Sequence, residues 1–486
     1  MAASSRSRSP ISRERCFHLV LICTILFIHS VPCCCSSSGE YFIVPLLHWT
    51  SLAASHARPL PALSQLQFFK EVKSLDDSRL LSIGASIRQS SNDLRARVIS
   101  GASSGSGQYF VELSIGTPPQ RFTLIVDTGS DLVWLRCSAC TSGSCEDVGD
   151  GGAASQLLST FHVRASSSYR AISCTSQSCF VVPPAPNFSC KDSSECRYEY
   201  TYSDSSSSTG ILSIETISLN VSSASSSAST VNSPRELPDF AFGCGFHNVG
   251  QSFIGSNGVL GMGRGPISFV SQVGAAVGRK FSYCLVDFFR KPSLNSVLVA
   301  GDPPLTMRVP LQSTPLLTNP FRRSLYYVNV QEVRVNGVAL FIPSDLWKLD
   351  EMGNGGTVVD TGTTFSVFVE PAYQRILSAM STSSPLPKVE PVEGFDLCFN
   401  STGLKSLTDL PNLSIVFQKN VVFAPPATNI FVDMPGSLKC LAMRGANRVF
   451  GFSVLGNLIQ QNFLMQFDLQ NSMLSFTSVD CSDAFR

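Results

Sequence analysis

Residues 120–130 read QRFTLIVDTGS, and residues 357–363 read TVVDTGT. In both stretches an apolar run typical of a buried β-strand ends in Asp-Thr-Gly and one further hydroxyl residue. The tripeptide Val-Leu-Gly follows the first copy at 259–261 and the second at 454–456, so the order is the same in both halves. One copy alone is an ordinary turn at a strand end. The ordered repeat predicts two similar β lobes related by a pseudo-twofold, each giving one aspartate to a shared cleft.

Short apolar or alternating runs, separated by Gly, Pro, Asn and Ser, continue along the chain from residue 109. They predict β-strands, the clearest of which lie at 109–115, 121–127, 326–335, 413–417 and 473–479. Helical patterns are few, and they lie at 266–277, 370–381 and 457–463. The expected fold is therefore mainly β, with few short helices.

The composition excludes several classes of protein. The 486 residues are enough for two or three domains, and 43% of them are hydrophobic, so the chain can bury a large core. Thirty-six Lys and Arg against 35 Asp and Glu argue against a nucleic-acid-binding protein driven by net charge. The first 100 residues hold 11 basic and 6 acidic side chains, and the remainder holds 25 and 29. The chain therefore joins a basic leader to an acidic body.

The leader has the order of a secretory signal peptide. Arginines between residues 6 and 15 precede an apolar run at 16–31 that is short for a membrane span, and small residues follow it. We assign 1–35 to a cleaved signal peptide; a retained membrane anchor is the alternative. Residues 36–106, with a helical pattern at 66–97 and a Gly/Ser-rich end, predict a propeptide and a flexible link. We expect the two β lobes at 107–303 and 304–486.

The cysteines outside the leader support export, because their number is even, as expected for disulfides in an oxidising compartment. They are Cys137, Cys140, Cys145, Cys174, Cys179, Cys190, Cys196, Cys244, Cys284, Cys398, Cys440 and Cys481. A zinc knuckle at the first two is the competing interpretation, but no histidine lies near them, so we expect no metal and no cofactor. Glycosylation sequons at Asn187, Asn220, Asn400 and Asn412 agree with secretion.

The repeated turn suits acid–base chemistry. Gly129 and Gly362 allow a close backbone approach, and Thr128 and Thr361 supply hydroxyls that can cross-link the two turns. Ser130 and Thr363 are placed to donate to the neighbouring carboxylates.

Face-to-face turns would hold Asp127 and Asp360 within hydrogen-bonding reach. Two carboxyl groups that close share one proton, so one of them can activate a water while the other hydrogen-bonds a peptide carbonyl. A plain turn at each strand end is the alternative.

The chain from 107 to about 482 resembles the pepsin-type (family A1) aspartic proteases. VDTGSDLVW at 126–134 and VVDTGTTFSVF at 358–368 are similar to that family's two active-site segments. The cysteine-rich insert resembles the plant atypical, nepenthesin-like branch. The resemblance implies a mainly β, bilobal pepsin-like fold with two pseudo-twofold-related lobes and few short helices. It also implies that Asp127 and Asp360 are the catalytic pair.

By the same resemblance, Tyr202 is the flap tyrosine that covers the substrate, and Trp134 is the tryptophan that supports the flap. The family usually has glycine where this chain has Ser203 and Ser205. Because serine tolerates positive φ less well than glycine, we expect altered flap flexibility or hairpin geometry. A packed surface aromatic is the alternative role for Tyr202.

The resemblance also concerns the disulfides, although it leaves their connectivity open. Cys398 and Cys440 resemble the disulfide of the family's second lobe, and Cys244 and Cys481 are further pairing candidates. The disulfide-bonded insert beside the first aspartate is represented by Cys137, Cys140, Cys145, Cys174, Cys179, Cys190 and Cys196.

The function expected from residues and resemblance is that of a secreted aspartic endopeptidase, active at acidic pH and made as a zymogen. We expect its basic prosegment to neutralise the acidic cleft at neutral pH. Its expected partners are polypeptide substrates, with no nucleic acid and no membrane after signal cleavage, and we expect a monomer. The expected location is the apoplast or cell wall, with the vacuole as a further possibility. A weak or inactive binding protein on the same scaffold, like the family's xylanase-inhibitor relatives, is the alternative function.

Overall fold

The structure is a computed structural model, and it describes residues 41–48, 69–70, 72–73, 76, 107–141, 144–146, 159–186, 188–191, 193–202, 206–222, 233–250, 253, 255–287, 289, 296–302, 309–392, 394–446 and 451–482. The predicted signal peptide lies outside these residues, as does the greater part of the predicted propeptide and link. Within them, no helix has the length and apolar character needed to cross a membrane.

The described elements are mostly strands. Those of the first half are β1 (Tyr41–His48), β2 (Tyr109–Ile115), β3 (Gln120–Asp127), β4 (Trp134–Arg136), β5 (Ala139–Thr141), β6 (Ser144–Glu146), β7 (Arg170–Ala171), β8 (Arg197–Thr201), β9 (Ser207–Ser222), β10 (Ser233–Val249), β11 (Gly258–Gly261), β12 (Lys280–Cys284) and β13 (Ser296–Ala300). Those of the second half are β14 (Gln312–Leu317), β15 (Tyr327–Val328), β16 (Val330–Val335), β17 (Val338–Ala339), β18 (Thr357–Val359), β19 (Ser366–Val369), β20 (Lys388–Val389), β21 (Cys398–Asn400), β22 (Leu413–Phe417), β23 (Val421–Phe423), β24 (Phe431–Met434), β25 (Leu438–Leu441), β26 (Met443–Ala446), β27 (Ser453–Leu455), β28 (Phe463–Asp468) and β29 (Met473–Ser478).

Two α-helices lie wholly within the described residues, α1 (Phe269–Val277) and α2 (Glu370–Thr382). Short 3-10 helices lie at Val163–Ala165, Gln177–Val181, Ser344–Leu346, Leu407–Asp409, Ala427–Asn429 and Leu458–Gln460. The Ser268 side chain caps α1 by accepting a hydrogen bond from the Ser271 N–H, and the helix ends at Gly278, whose φ of 67° favours glycine. On α2, Tyr373 and Ile376 lie on the buried face.

A run of six antiparallel strands joins the two halves, in the order β1–β13–β12–β28–β29–β14. At its centre β12 of the first half pairs with β28 of the second, and the rings of Phe281 and Phe467 stack there with centroids 4.7 Å apart. On either side of this pair the strands correspond, β13 to β29 and β1 to β14. Both halves therefore share one continuous hydrophobic core.

The active-site strands are held by parallel pairing in each half. β3 lies parallel to β11 with Asp127 opposite Gly261, and β18 lies parallel to β27 with Val359 opposite Leu455. The next strands repeat the arrangement, since β4 is parallel to β10 and β19 is parallel to β26. This is the ordered repeat predicted from the sequence, and the mainly β fold with two related lobes is confirmed.

Smaller sheets complete the molecule. In the second half they have the orders β17–β16–β22–β23 and β20–β21–β25–β24. In the first half β5 and β6 form a hairpin that brings Cys140 opposite Cys145 in register.

The helical pattern at 457–463 was a wrong prediction. Only a short 3-10 turn, Leu458–Gln460, forms there, and β28 begins at Phe463. The Asn457 N–H donates to the Thr363 carbonyl (2.7 Å), and Asn462 takes a positive φ of 56° that ends the turn. The Asn462 N–H donates to the Leu285 carbonyl (2.8 Å), so tertiary contacts override the local helical preference. The other two helical predictions correspond to α1 and α2.

Five disulfides form among the described side chains. Cys244 bonds to Cys137 and Cys481 bonds to Cys284, so these two candidates do not pair with each other. The bonds are Cys137–Cys244, Cys174–Cys190, Cys179–Cys196, Cys284–Cys481 and Cys398–Cys440. The last of these is the pairing that the family resemblance implied.

Parts of the predicted propeptide are built into this fold. β1 pairs with β13 along five residues and with β2 along three, so it has a hydrogen-bonded neighbour on each side. The side chains of Val44 and Leu46 are buried. Farther along, Phe69, Val72 and Asp76 are buried, and each of them has helical backbone. The leader therefore adds a strand and a docked segment to the core.

Candidate active site

The two aspartates of the repeated motif lie at the ends of β3 and β18. Both are buried, with 0% of Asp127 and 3% of Asp360 exposed. Their backbones are fixed by the parallel partner strands: the Met262 N–H donates to the Asp127 carbonyl (2.8 Å), and the Asp360 N–H donates to the Leu455 carbonyl (3.1 Å). The Val-Leu-Gly strands thus position the aspartate strands.

The two turns interlock through their threonines. The Thr128 N–H donates to Thr361 Oγ1 (3.2 Å), and the Thr361 N–H donates to Thr128 Oγ1 (2.9 Å). Thr361 Oγ1 also donates to the Val126 carbonyl (3.1 Å). These reciprocal bonds bring the Asp127 and Asp360 turns face to face, which is the cross-link that the sequence suggested.

Each turn also holds its own carboxylate. The Gly129 N–H donates to Asp127 Oδ1, and the Gly362 N–H donates to Asp360 Oδ1, both at 3.0 Å. The Thr363 hydroxyl donates to Asp360 Oδ2 (2.7 Å). These contacts fix the orientation of both carboxylates before any ligand arrives.

The first turn differs from the second at its hydroxyl residue. The sequence suggested that Ser130 would donate to Asp127, but Ser130 Oγ is buried and has no hydrogen-bond partner among the described residues. The Gly263 N–H donates to the Ser130 carbonyl (2.8 Å), which fixes the backbone at this position. Ser130 therefore does not repeat the contact that Thr363 makes.

Two amide side chains support the second turn, and sequence reasoning missed them. Asn457 Nδ2 donates to the Thr361 carbonyl (2.9 Å), and Gln460 Nε2 donates to the Leu455 carbonyl (2.8 Å). Gln460 Oε1 accepts a hydrogen bond from the Tyr283 hydroxyl. Their position just after the second Val-Leu-Gly is the sequence feature that could have identified them.

The predicted flap residues are in contact. Trp134 Nε1 donates to the Tyr202 hydroxyl, and both side chains are buried. The Phe253 ring packs edge-on against both, at 4.8 and 5.3 Å. Burial, the nearby Tyr200 and the Asp127 charge raise the pKa of Tyr202 well above its usual value, so its hydroxyl stays neutral. Ser203 and Ser205, the predicted departures from the flap pattern, lie outside the described residues.

Asp131 is a buried carboxyl that sequence reasoning did not single out. Its Oδ1 accepts a hydrogen bond from the Gly265 N–H (2.8 Å), and its Oδ2 accepts one from the Ser324 hydroxyl in the second half. A Cβ at Gly265 would lie 2.1 Å from the carboxylate, so a larger residue would clash there. Burial raises the pKa of Asp131, although both hydrogen bonds oppose the shift. The sequence feature that could have identified Asp131 is its position as an acidic residue beside the apolar residues that follow the first turn.

The glycosylation candidates are placed unevenly. Asn412 is exposed, and Asn400 is half-buried, with its side-chain oxygen accepting a hydrogen bond from the Thr402 N–H. The backbone of Asn220 lies in β9, and Asn187 is outside the described residues.

Comparisons with known proteins agree with this architecture. Residues 109–302 match the family model described as "Xylanase inhibitor N-terminal", and residues 325–478 match "Xylanase inhibitor C-terminal". The two matches cover most of both lobes and leave out the leader.

The chain is also similar to a plant aspartic proteinase and to two solved structures. It is 32% identical to aspartic proteinase nepenthesin-2 of Nepenthes gracilis over 420 residues, which cover 86% of this chain and 87% of the relative. The crystal structure of edgp has a TM-score of 0.65 at 20% identity and covers 92% of this chain and 96% of its own. Soybean basic 7S globulin has a TM-score of 0.60 at 22% identity, covering 80% and 98%. At such identities the two structures show the fold alone. From the two matched domains and the proteinase relative together, the chain belongs to the pepsin-like aspartic protease family, in its nepenthesin-like plant branch.

Proposed function

We propose that the protein is an aspartic endopeptidase that hydrolyses peptide bonds at acidic pH. The observation that carries this proposal is the reciprocal bonding of Thr128 and Thr361, which brings the turns of Asp127 and Asp360 together. The family supplies the reaction class, since the relatives with which the chain aligns are aspartic proteinases.

The mechanism follows from two buried carboxyl groups on facing turns. The reaction assigns different tasks to Asp127 and Asp360, because one carboxyl group must act as a base and the other as an acid. The ionised carboxyl takes a proton from a water, and that water attacks the peptide carbonyl carbon. The protonated carboxyl hydrogen-bonds the carbonyl oxygen and later supplies a proton to the leaving nitrogen.

Substrate binding involves the flap. Tyr202 follows β8, and its hydroxyl is held by Trp134, so the tyrosine is oriented before a peptide enters. A cleft between two β lobes suits an extended peptide, whose backbone pairs with strand edges and whose side chains enter apolar pockets. Extended polypeptides with apolar residues at the cut are the proposed substrate class.

A peptide digest at acidic pH tests the proposal. The propeptide is removed from the wild type, Asp127→Asn and Asp360→Asn by the same added protease, and the three proteins are then compared with and without pepstatin. Asp239→Asn is the matched control, because Asp239 pairs with Arg170 at the surface and has a φ of 59°, which asparagine also tolerates. Pepstatin and either active-site substitution should abolish cleavage, and the control should not. Cleavage that persists in either active-site variant contradicts the assignment.

A second candidate function is favoured by the family models, whose descriptions are those of xylanase inhibitor domains. In that case the molecule binds a partner enzyme and cleaves peptides weakly or not at all. Inhibition of a xylanase by the wild type and equally by Asp127→Asn, with no peptidase activity in either, would support it.

We further propose that the protein is a secreted, glycosylated monomer that passes from zymogen to mature enzyme in the apoplast, cell wall or vacuole. The five disulfides support passage through an oxidising compartment. N-terminal sequencing of the exported chain and a mass shift on deglycosylation test this. An unshifted mass, or a retained residue 1–35 segment, would contradict it.

A further inference from the structure

The two active-site segments present equivalent pairs of backbone donors. In the first half, the N–H groups of Asp131 and Leu132 both donate to the Tyr200 hydroxyl, at 3.2 and 3.3 Å. In the second half, the N–H groups of Thr364 and Phe365 both donate to the carboxylate of Asp76, at 3.1 and 2.9 Å. Both pairs stand at the fourth and fifth positions after the active-site aspartate. A core tyrosine thus satisfies one pair, and a residue of the predicted propeptide satisfies the other.

The carboxylate of Asp76 occupies a built site. Only 1% of Asp76 is exposed, and the buried guanidinium of Arg444 on β26 lies 3.9 Å from its Oδ2. Hydrogen bonds from backbone N–H groups and a nearby cation are what a buried carboxylate needs to offset its desolvation. The site therefore has the composition of a carboxylate receptor.

An aromatic contact beside the site fixes the segment that carries Asp76. The Phe69 ring stacks on Phe365 with centroids 5.9 Å apart. Phe395 and Phe289 pack around the same ring, at 5.6 and 5.3 Å. Phe365 therefore contacts the segment twice: its ring stacks on Phe69, and its N–H donates to Asp76. The segment is thus held at two points seven positions apart, the Phe69 ring and the Asp76 carboxylate.

We propose that Thr364, Phe365 and Arg444 form a carboxylate-binding site whose resident ligand is Asp76, and that this contact holds the propeptide against the second active-site segment. An extended peptide lying along the cleft would pair with the same N–H donors. Asp76 therefore competes with substrate until the segment leaves. This effect on catalysis rests on the proposed peptidase function, whereas the binding site itself does not.

The contact differs from the charge arrangement expected from the sequence. There, basic propeptide side chains were expected to neutralise acidic groups of the cleft. The described contact is the reverse, because an acid of the propeptide meets N–H donors and a cation of the body. Departure of Asp76 leaves buried donors that need a new acceptor, and substrate or water can supply it.

Hydrogen exchange tests the site without relying on catalysis. The full chain carries Asp127→Asn so that it cannot process itself, and amide exchange is followed at 364–365 and at 131–132. Asp76→Ala should speed exchange at 364–365 by about tenfold or more and leave 131–132 unchanged. Glu351→Ala, which removes an exposed carboxylate elsewhere in the second half, is the control and should change neither. Asp76→Asn, which retains an acceptor oxygen, should give an intermediate rate.

Unchanged exchange at 364–365 in Asp76→Ala would overturn the proposal, as would an equal rise at both donor pairs, since that indicates general loosening. An Asp76→Asn rate equal to the wild type would overturn the role of the charge. For the effect on catalysis, the uncleaved Asp76→Ala chain with both active-site aspartates intact should hydrolyse a short peptide faster than the uncleaved wild type. Equal rates, with the mature wild type active, would contradict the blocking role. A mature wild type without activity would instead refute the proposed function and leave the exchange result standing.

Discussion

The residues that directly follow each active-site aspartate orient its carboxylate. The N–H groups of Gly129 and Gly362 each donate to one oxygen of the preceding aspartate. The threonine between each aspartate and its glycine hydrogen-bonds to the other turn. Asp-Thr-Gly was sufficient to anticipate the reciprocal threonine bonds, whereas the N–H contacts of the glycines with the carboxylates were not predicted. Asp131 was not anticipated, because its partners Gly265 and Ser324 are distant in sequence.

Replacement of Thr361 by valine should loosen the interlock. Valine has nearly the same shape but cannot accept from the buried Thr128 N–H or donate to the Val126 carbonyl. We expect the free energy of unfolding to fall by about 1–3 kcal/mol, measured by denaturant titration. Thr361→Ser, which keeps the hydroxyl, is the control and should lose less. A valine variant as stable as the wild type would contradict the role of the interlock.

The buried Asp131 predicts a pH dependence of stability. Its pKa is raised in the folded state, so the fold binds this proton more tightly than the unfolded chain does. The resulting stabilisation is present below the ordinary aspartate pKa of about 3.9 and is lost as pH rises through the raised value. The unfolding free energy of the wild type relative to Asp131→Asn should therefore decrease from about pH 3 to about pH 7. A difference that stays constant over this range, measured in urea, would argue against the shift.

At the scale of elements, strand prediction worked where the apolar pattern is short and bounded. β2, β22 and β29 lie within one residue of the expected runs. The helix expected at 457–463 stops after one turn because the Asn462 N–H donates to the Leu285 carbonyl (2.8 Å) instead of continuing the helical hydrogen bonds. Pairing across β12 and β28, and the insertion of β1, depend on which strands meet in space, and local periodicity does not encode that.

β1 offers a test of whether the leader belongs to the core. Leu46 is buried where β1 pairs with β13, so Leu46→Ala in the uncleaved chain should lower the unfolding free energy by about 2–5 kcal/mol. Phe180→Ala removes a side chain that is 78% exposed and should change it by about 0.5 kcal/mol or less. A loss no larger for Leu46 than for Phe180 would show that the strand is dispensable.

At the scale of the whole molecule, the chain is closed by contacts between residues far apart. The Asp76 contact with Thr364 spans 288 positions, and the Cys284–Cys481 disulfide spans 197. The even number of cysteines outside the leader predicted disulfides, and the family resemblance implied one pairing, Cys398–Cys440. Spacing alone allowed many connectivities. Only the fold determines which cysteines become neighbours.

Removal of the long disulfide should cost stability. Changing Cys284 and Cys481 to alanine together frees a long loop of the unfolded chain, and we expect a loss of about 2–5 kcal/mol in a reversible unfolding experiment. The short-loop pair Cys174–Cys190, which spans 16 positions, is the comparison and should cost less when removed. Equal or reversed losses would show that loop closure is not the main contribution.

The account depends most on Asp127 and Asp360 acting as one unit. The most direct measurement is kcat/KM for an acid-pH peptide substrate in the wild type, Asp127→Asn, Asp360→Asn and the double variant, each freed of its propeptide by the same added protease. If the carboxyl groups share one proton and one water, each single substitution should lower kcat/KM by about 10²–10⁴-fold or more, and the second should add little. Two independent, additive losses, or a single variant with near wild-type activity, would contradict the shared-proton mechanism.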